Sequence, residues 1–321
     1  MPDGPSGDFR AFSARCGRDP LRVQGPGGNT SMKIGDVLWI KASGTQLADA
    51  EDAPIFVAVD HAAARRELRG VGDGTCHAAV IDKSHGLRPS IETTFHALID
   101  WPVVAHTHSV STLVHAISPE GRMAAKEKLA GLPVAFVPYR KPGLPLTKAI
   151  ADAMTPETQV FILANHGLII AGPDVTAVDA LMADVEARLD LPPAGAAPSE
   201  PANAPPTGHS WISEVSNLAI DRRTMALAFA GSYYPDHVVF LGPALRNTPE
   251  SGRPAFISPG IGLALRDDAT PAQRAMVQCL HDVLARLPKN WTAEPLGHDA
   301  EAELLDWDAE KYRQALAARN H

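Results

Sequence analysis

The hydrophobic period changes within the stretch RPSIETTFHALIDWPVVAHTHSV, residues 88–110. Apolar Ile91, Phe95 and Leu98 recur at helical spacing and Ser90 suits an N-cap, so the pattern predicts a helix that ends before Pro102. Glu92 and His96, four apart, share a different face of it. The run Val103-Val-Ala-His-Thr-His108 then reads as a buried strand. Alternate strand residues point the same way, which puts His106 and His108 on one side.

The same periodicities organise the rest of the chain. A helix is expected over 9–22, ending at the turn-forming run QGPGGN. Strands 30–34 and 37–41 flank Gly35-Asp36 as a β-hairpin, followed by the small-residue loop KASGT, a strand at 55–59 and a helix over 60–68. Residues 69–87 carry no assignable period. Helices are expected at 110–116, 122–130, 146–154 and 174–189, and a strand at 134–137. Apolar segments 160–164 and 168–171 are interrupted by Asn165-His166-Gly167. Residues 191–208, rich in Pro, Ala and Gly with almost nothing to bury, read as a linker. Beyond it the pattern predicts a helix at 210–218, strands at 237–241 and 255–258, and a strand through Leu265 after Gly260-Ile-Gly262. A helix over 271–287 with Thr270 as its cap and a helical tail over 300–318 follow. The expected organisation is an α/β domain over 1–192, a linker over 193–209 and a smaller α/β unit over 210–321.

Composition narrows the function. At 321 residues, with 45% hydrophobic and 21% charged residues, the chain is long enough for one large and one small core. A net charge of -8, with basic residues scattered singly or in pairs, gives no footprint for nucleic acid. The absence of a long apolar run argues against a membrane partner, and the lack of a basic-then-apolar leader makes the cytoplasm the expected location. Three widely spaced cysteines, Cys16, Cys76 and Cys279, argue against a disulfide framework and against a cysteine-held metal.

Histidine carries the chemistry instead. Two imidazoles on one side of a strand end suit a metal that leaves a position open for substrate, yet His-x-His alone is a weak signal that two ordinary histidines explain better. His166 between apolar segments is a better sign, because a polar ring there needs a partner. Glu92 alone is explained by the preference for acids in a helix's first turn. The loops PGGNTS and KASGT suit an anion but match no P-loop, and PGIGL lacks the rest of a dinucleotide fingerprint.

In order along the chain, GGNTS, ASG, PSIE, HTH and NHG resemble the blocks of the class II aldolase/adducin family, over roughly the first 190 residues. The likeness is to the fuculose- and rhamnulose-phosphate aldolases and to the aldolase half of longer aldolase/dehydrogenase fusions. It implies a three-layer α/β/α fold around a mainly antiparallel sheet. It further implies zinc, or another divalent ion such as Mn2+ or Co2+, on His106, His108 and His166, with Glu92 as the catalytic acid/base. Asn29, Ser43, Gly44 and Ser90 would lie in a phosphate or anion pocket. The expected reaction is aldol cleavage or formation in a small hydroxy-ketone, such as a sugar phosphate, through a metal-stabilised enediolate. The expected assembly is a homo-oligomer, a tetramer by resemblance. Two alternatives follow: a decarboxylase, epimerase or dehydratase using the same site on a non-phosphorylated keto acid or sugar, and a non-catalytic adducin-like binding protein. Ile91 stands where those aldolases carry a second serine, and nothing in the sequence fixes their interface tyrosine, for which Tyr139 is only a nearby candidate.

Overall fold

The computed structural model describes residues 4–195, 199–308 and 311. In chain order the first part comprises α1 (Gly7–Arg18), β1 (Asn29–Ile34), β2 (Val37–Lys41), β3 (Phe56–Asp60), α2 (His61–Glu67), α3 (Thr93–Leu98) and β4 (Val103–Thr107). There follow α4 (Val110–Ala116), α5 (Pro119–Lys128), β5 (Val134–Val137), α6 (Leu144–Ala153), β6 (Val160–Leu163), β7 (Gly167–Gly172) and α7 (Val175–Leu189). The strands form one sheet in the order β3-β2-β1-β4-β7-β6-β5, antiparallel throughout except where β5 runs parallel to β6.

The strand period decides which layer each residue joins. In β4, Val103 and Ala105 pack with Phe9 and Phe12 of α1 and with Val178, Met182 and Val185 of α7. Val104 packs on the opposite face with Phe95 of α3 and Leu146 and Ile150 of α6. The result is three layers, α/β/α. His106, two residues after Val104, therefore stands on the α3 side, where its ring meets Phe95 edge-on at 5.7 Å. β4 lies at the centre of the sheet, with Asn29 of β1 and Ile169 of β7 directly opposite His106.

After the described part of 191–208, which contains no helix or strand, come β8 (His209–Trp211), α8 (Asn217–Ile220), α9 (Arg222–Ala230), α10 (Pro235–Leu241), β9 (Ala255–Ser258), β10 (Gly262–Arg266), α11 (Pro271–Arg286) and α12 (His298–Leu305). A second, antiparallel sheet runs β8-β10-β9. Thr270 and Gln273 close a full capping box on α11. This unit shares its core with the first: Val110, Leu113, Val114 and Ile117 of α4 pack among Tyr233, Tyr234, Val239, Met276 and Leu280.

Several sequence expectations need correction. The residues expected as a strand at 237–241 belong to α10, which begins with Pro235 and is buried at every position. A helix with no solvent face carries no 3.6-residue signature, and a short Val-rich apolar run then reads as a strand. The expected helix over 210–218 is a strand that pairs with β10, then a short turn, then α8. Helix α9 lacks a clear sequence period. The helix expected to begin at Ser90 begins at Thr93, with Glu92 at the N-cap position. Of the tail expected as a helix over 300–318, α12 covers the start, and 309, 310 and 312–318 lie outside the described residues. Cys16, Cys76 and Cys279 are free and buried. Among the described residues no helix is long and apolar enough to cross a membrane.

Candidate active site

The end of β4, the turn between β6 and β7, and the entry to α3 converge on one buried point. His106, His108 and His166 each offer a ring nitrogen there, all within 4.8 Å of one another, and each side chain is buried. Gly167, at φ 152, allows the His166 turn to pass against β4: a Cβ at this position would stand 2.4 Å from the Thr107 carbonyl oxygen. Asn165 holds a left-handed backbone at φ 52, and its amide donates to the carbonyls of Tyr233, 3.1 Å away, and Glu294, 2.8 Å away. The second unit thus clasps the residue before His166.

Glu92 sits among the imidazoles. Its Oε2 lies 3.5 Å from His106 Nε2 and its Oε1 lies 3.4 Å from His166 Nε2. His106 Nδ1–H donates to the Leu168 carbonyl at 2.9 Å, so Nε2 carries the lone pair. Burial drives down the pKa of His106, and that of His166 to about 3, outweighing the nearby carboxylate. For Glu92 burial pulls upward, while the Asn29 amide, and His106 and His166 whenever they carry a proton, pull downward, for a net lowering. Uncharged imidazoles whose lone pairs face an ionised carboxylate repel it, and a cation between them removes the repulsion. His106 Nε2 and Glu92 Oε1 are buried without a hydrogen-bond partner, which is the condition a divalent ion would satisfy. The donor set fits the ion.

Glu92 is held from behind by a chain of polar groups. Asn29 Nδ2 donates to Glu92 Oε2 at 2.8 Å and to Ser90 Oγ at 3.2 Å. With the amide nitrogen committed to those bonds, Asn29 Oδ1 faces His96 and accepts from its Nε2–H, while His96 Nδ1 accepts from Ser31 Oγ at 2.7 Å. Burial holds the His96 pKa well below its ordinary value, so this ring is a neutral link between Ser31 and Asn29 of β1, and Asn29 in turn holds the carboxylate. Ser90 Oγ also accepts from the Glu92 backbone N–H at 3.2 Å, so it anchors the turn before α3 instead of capping it.

The residues expected as metal ligands, acid/base and anion site come to this pocket: Asn29, Ser43, Gly44, Ser90, Glu92, His108 and His166 line it, and His106 joins His108 and His166. Ile91 and Pro142 form part of the wall. Two residues escaped the sequence reading. Lys41, the last residue of β2, is 2% exposed and lines the pocket near Ser43. Asp236, from α10, lies with its Oδ2 3.1 Å from His108 Nδ1. Lys41 opens the KASGT loop that the sequence already marks as suited to an anion, whereas an acid after a proline carries no distinguishing sequence signal. Tyr139 lies outside the pocket lining, near Glu303, and burial pushes its hydroxyl pKa up.

Residues 20–190, more than half of the chain, match the family model described as Class II Aldolase and Adducin N-terminal domain. The chain belongs to this family. A curated aldolase relative, L-fuculose phosphate aldolase of Methanocaldococcus jannaschii, is 28% identical over 52% of this chain and 86% of its own length. An uncharacterized oxidoreductase, YuxG of Bacillus subtilis, is 31% identical over 46% of this chain, and the match spans only 23% of that protein. Among solved structures, the N-terminal class II aldolase domain of a conserved protein from Thermoplasma acidophilum covers 59% of this chain and 94% of its own, at 22% identity and a TM-score of 0.51. That likeness speaks for the fold, and the class II aldolase family accounts for the mainly antiparallel sheet that carries the histidines.

Proposed function

We propose that this protein is a zinc-dependent lyase that cleaves or forms a carbon–carbon bond in a small hydroxy-ketone, with His106, His108 and His166 as the metal ligands and Glu92 as the acid/base. The observation that carries the reading is the placement of Glu92, a carboxylate within 3.4 to 3.5 Å of two imidazole nitrogens. A divalent ion held there supplies Lewis-acid polarisation of a substrate carbonyl. Glu92, positioned by Asn29 and Ser90, moves the proton at the neighbouring carbon. The backbone and hydroxyls of Ser43, Gly44 and Ser90, with the Lys41 ammonium, bind an anionic end of the substrate. In this reading residues 1–192 form the catalytic domain, 193–209 the linker, and 210–321 a unit that walls the site; the active form is a homo-oligomer.

Ile91 supports a second reading. An apolar side chain stands in the wall beside Glu92, and it suits a keto acid or sugar without phosphate, on which the same enolate chemistry would give decarboxylation by loss of CO2 and protonation at carbon, epimerisation by removal and return of a proton, or dehydration by proton removal and loss of hydroxide as water. Metal analysis of the purified protein, followed by product identification across sugar phosphates, hydroxy-ketones and keto acids, tests both readings. The expected result is one divalent ion per chain and an aldol cleavage product that disappears in His106→Ala. Absence of a stoichiometric ion together with an unaffected His106→Ala variant sinks the metal-site reading.

A further inference from the structure

We infer that Asp236, supplied by the unit beyond the linker, is a positioning residue for the metal site: it orients His108 and strengthens it as a ligand. The inference rests on the metal-site reading above and assigns a role to a part of the chain that lies outside the family match. His108 and Asp236 are 4% and 1% exposed, and Nδ1 stands 3.1 Å from Oδ2. A carboxylate buried so deeply is stable only against a partner of opposite polarity. The 3.1 Å separation is an ion-pair distance whose angle falls short of a hydrogen bond; a small turn of the ring with its proton on Nδ1 completes the bond, presents Nε2 as the lone pair, and lets the carboxylate make that nitrogen a stronger donor. His106 and His166 also feel the Asp236 charge, which adds negative potential around the point where a cation would sit.

Both neighbouring segments are shaped around this contact. Gly27, in the GGN loop, passes so close that a Cβ on it would lie 2.8 Å from Asp236 Oδ2 and 3.0 Å from His108 Nδ1. On the other side, α10 is fixed by burial: Val239, Phe240 and Leu241 pack in the core shared with α4, the helix that begins just after His108. Asp236 is therefore set on a rigid element, and its aim is determined by packing on both sides.

The test is zinc affinity of the full chain, measured by competition with a chromophoric chelator, alongside melting of the metal-free protein. Asp236→Asn keeps an oxygen that can accept from Nδ1–H and is expected to weaken zinc binding by about 10-fold. Asp236→Ala removes the oxygen and is expected to weaken it by about 100-fold, the range seen when such outer carboxylates are lost. Melting of metal-free Asp236→Asn stays within a few degrees of the native chain. Affinities of both variants within about threefold of native overturn the inference while zinc binding by the native chain, lost in His106→Ala, keeps the metal-site reading standing. A native chain that binds no zinc overturns both. Should Asp236→Ala fail to fold, the Asn variant decides alone.

Discussion

Buried neutral histidines set an acid limit on this fold, and the limit can be measured. His115, on α4 against Trp291, and His237, in α10, both lie outside the metal site. Burial holds the first down to about 4, against the opposing bond to the Ser111 carbonyl, and the second to about 3. In the unfolded chain each returns to about 6.5. Between the two values the unfolded chain binds the proton and the folded chain does not. Stability is therefore fully present above about pH 6.5 and falls as the pH drops toward the folded values. From pH 8 to pH 5 each ring costs ~2 kcal/mol, so the pair costs ~4 kcal/mol, a large share of the roughly 5–15 kcal/mol of a typical domain. Urea denaturation in a chelating buffer at both pH values measures the loss. His237→Gln removes one titrating ring and should shrink the difference by ~2 kcal/mol, whatever its effect at pH 8. A variant with the same pH dependence as the native chain, or a native chain equally stable at pH 5 and pH 8, refutes the reasoning.

Three further outcomes are expected. In Gly27→Ala the added methyl would stand 2.8 Å from Asp236 Oδ2, so zinc affinity in a chelator competition should fall by about 10-fold, and an unchanged affinity would show the contact to be slack. Asn29→Ala leaves both Glu92 and the His96 ring short of a buried partner; it should lower unfolding free energy by about 1–3 kcal/mol and reduce turnover more than substrate binding, as read from urea melts and initial rates. Lys41→Met should weaken inorganic phosphate binding, followed by calorimetry, by about 10-fold, as expected for loss of a charge-assisted contact of roughly 1.5 kcal/mol or more; equal heats and affinities would remove Lys41 from the anion subsite.

The elements nearest the candidate ligands were the most legible in the sequence, because sheet register converts a period of two into a shared face. Alternation through residues 103–108 put His106 and His108 on one side of their strand, whereas the pairing that sets Asn29 opposite His106, and the bond of Ser31 to His96, carry no signal in the sequence. The hairpin at β1 and β2 followed equally from its turn residues. Helix α10 was misread because it is buried all round, and that error concealed Asp236. Nothing local to residue 236 marks it: its partner, His108, is distant in the chain and is met only through the packing of α10 against α4 and α11. The polar chain from Ser31 through His96 and Asn29 to Glu92 was likewise only half visible, since the shared helical face of Glu92 and His96 says nothing about an asparagine on another strand.

The clasp on Asn165 imposes an order in time. All the sheet strands that carry the histidines emerge from the ribosome before Tyr233 and Glu294, whose carbonyls hold the Asn165 amide beside His166. A nascent chain released only as far as α7 has the large sheet but lacks the groups that fix that turn. Completion of the pocket is thus an event of late synthesis, and a chain truncated before residue 233 would carry its histidines without the grip that sets the last of them.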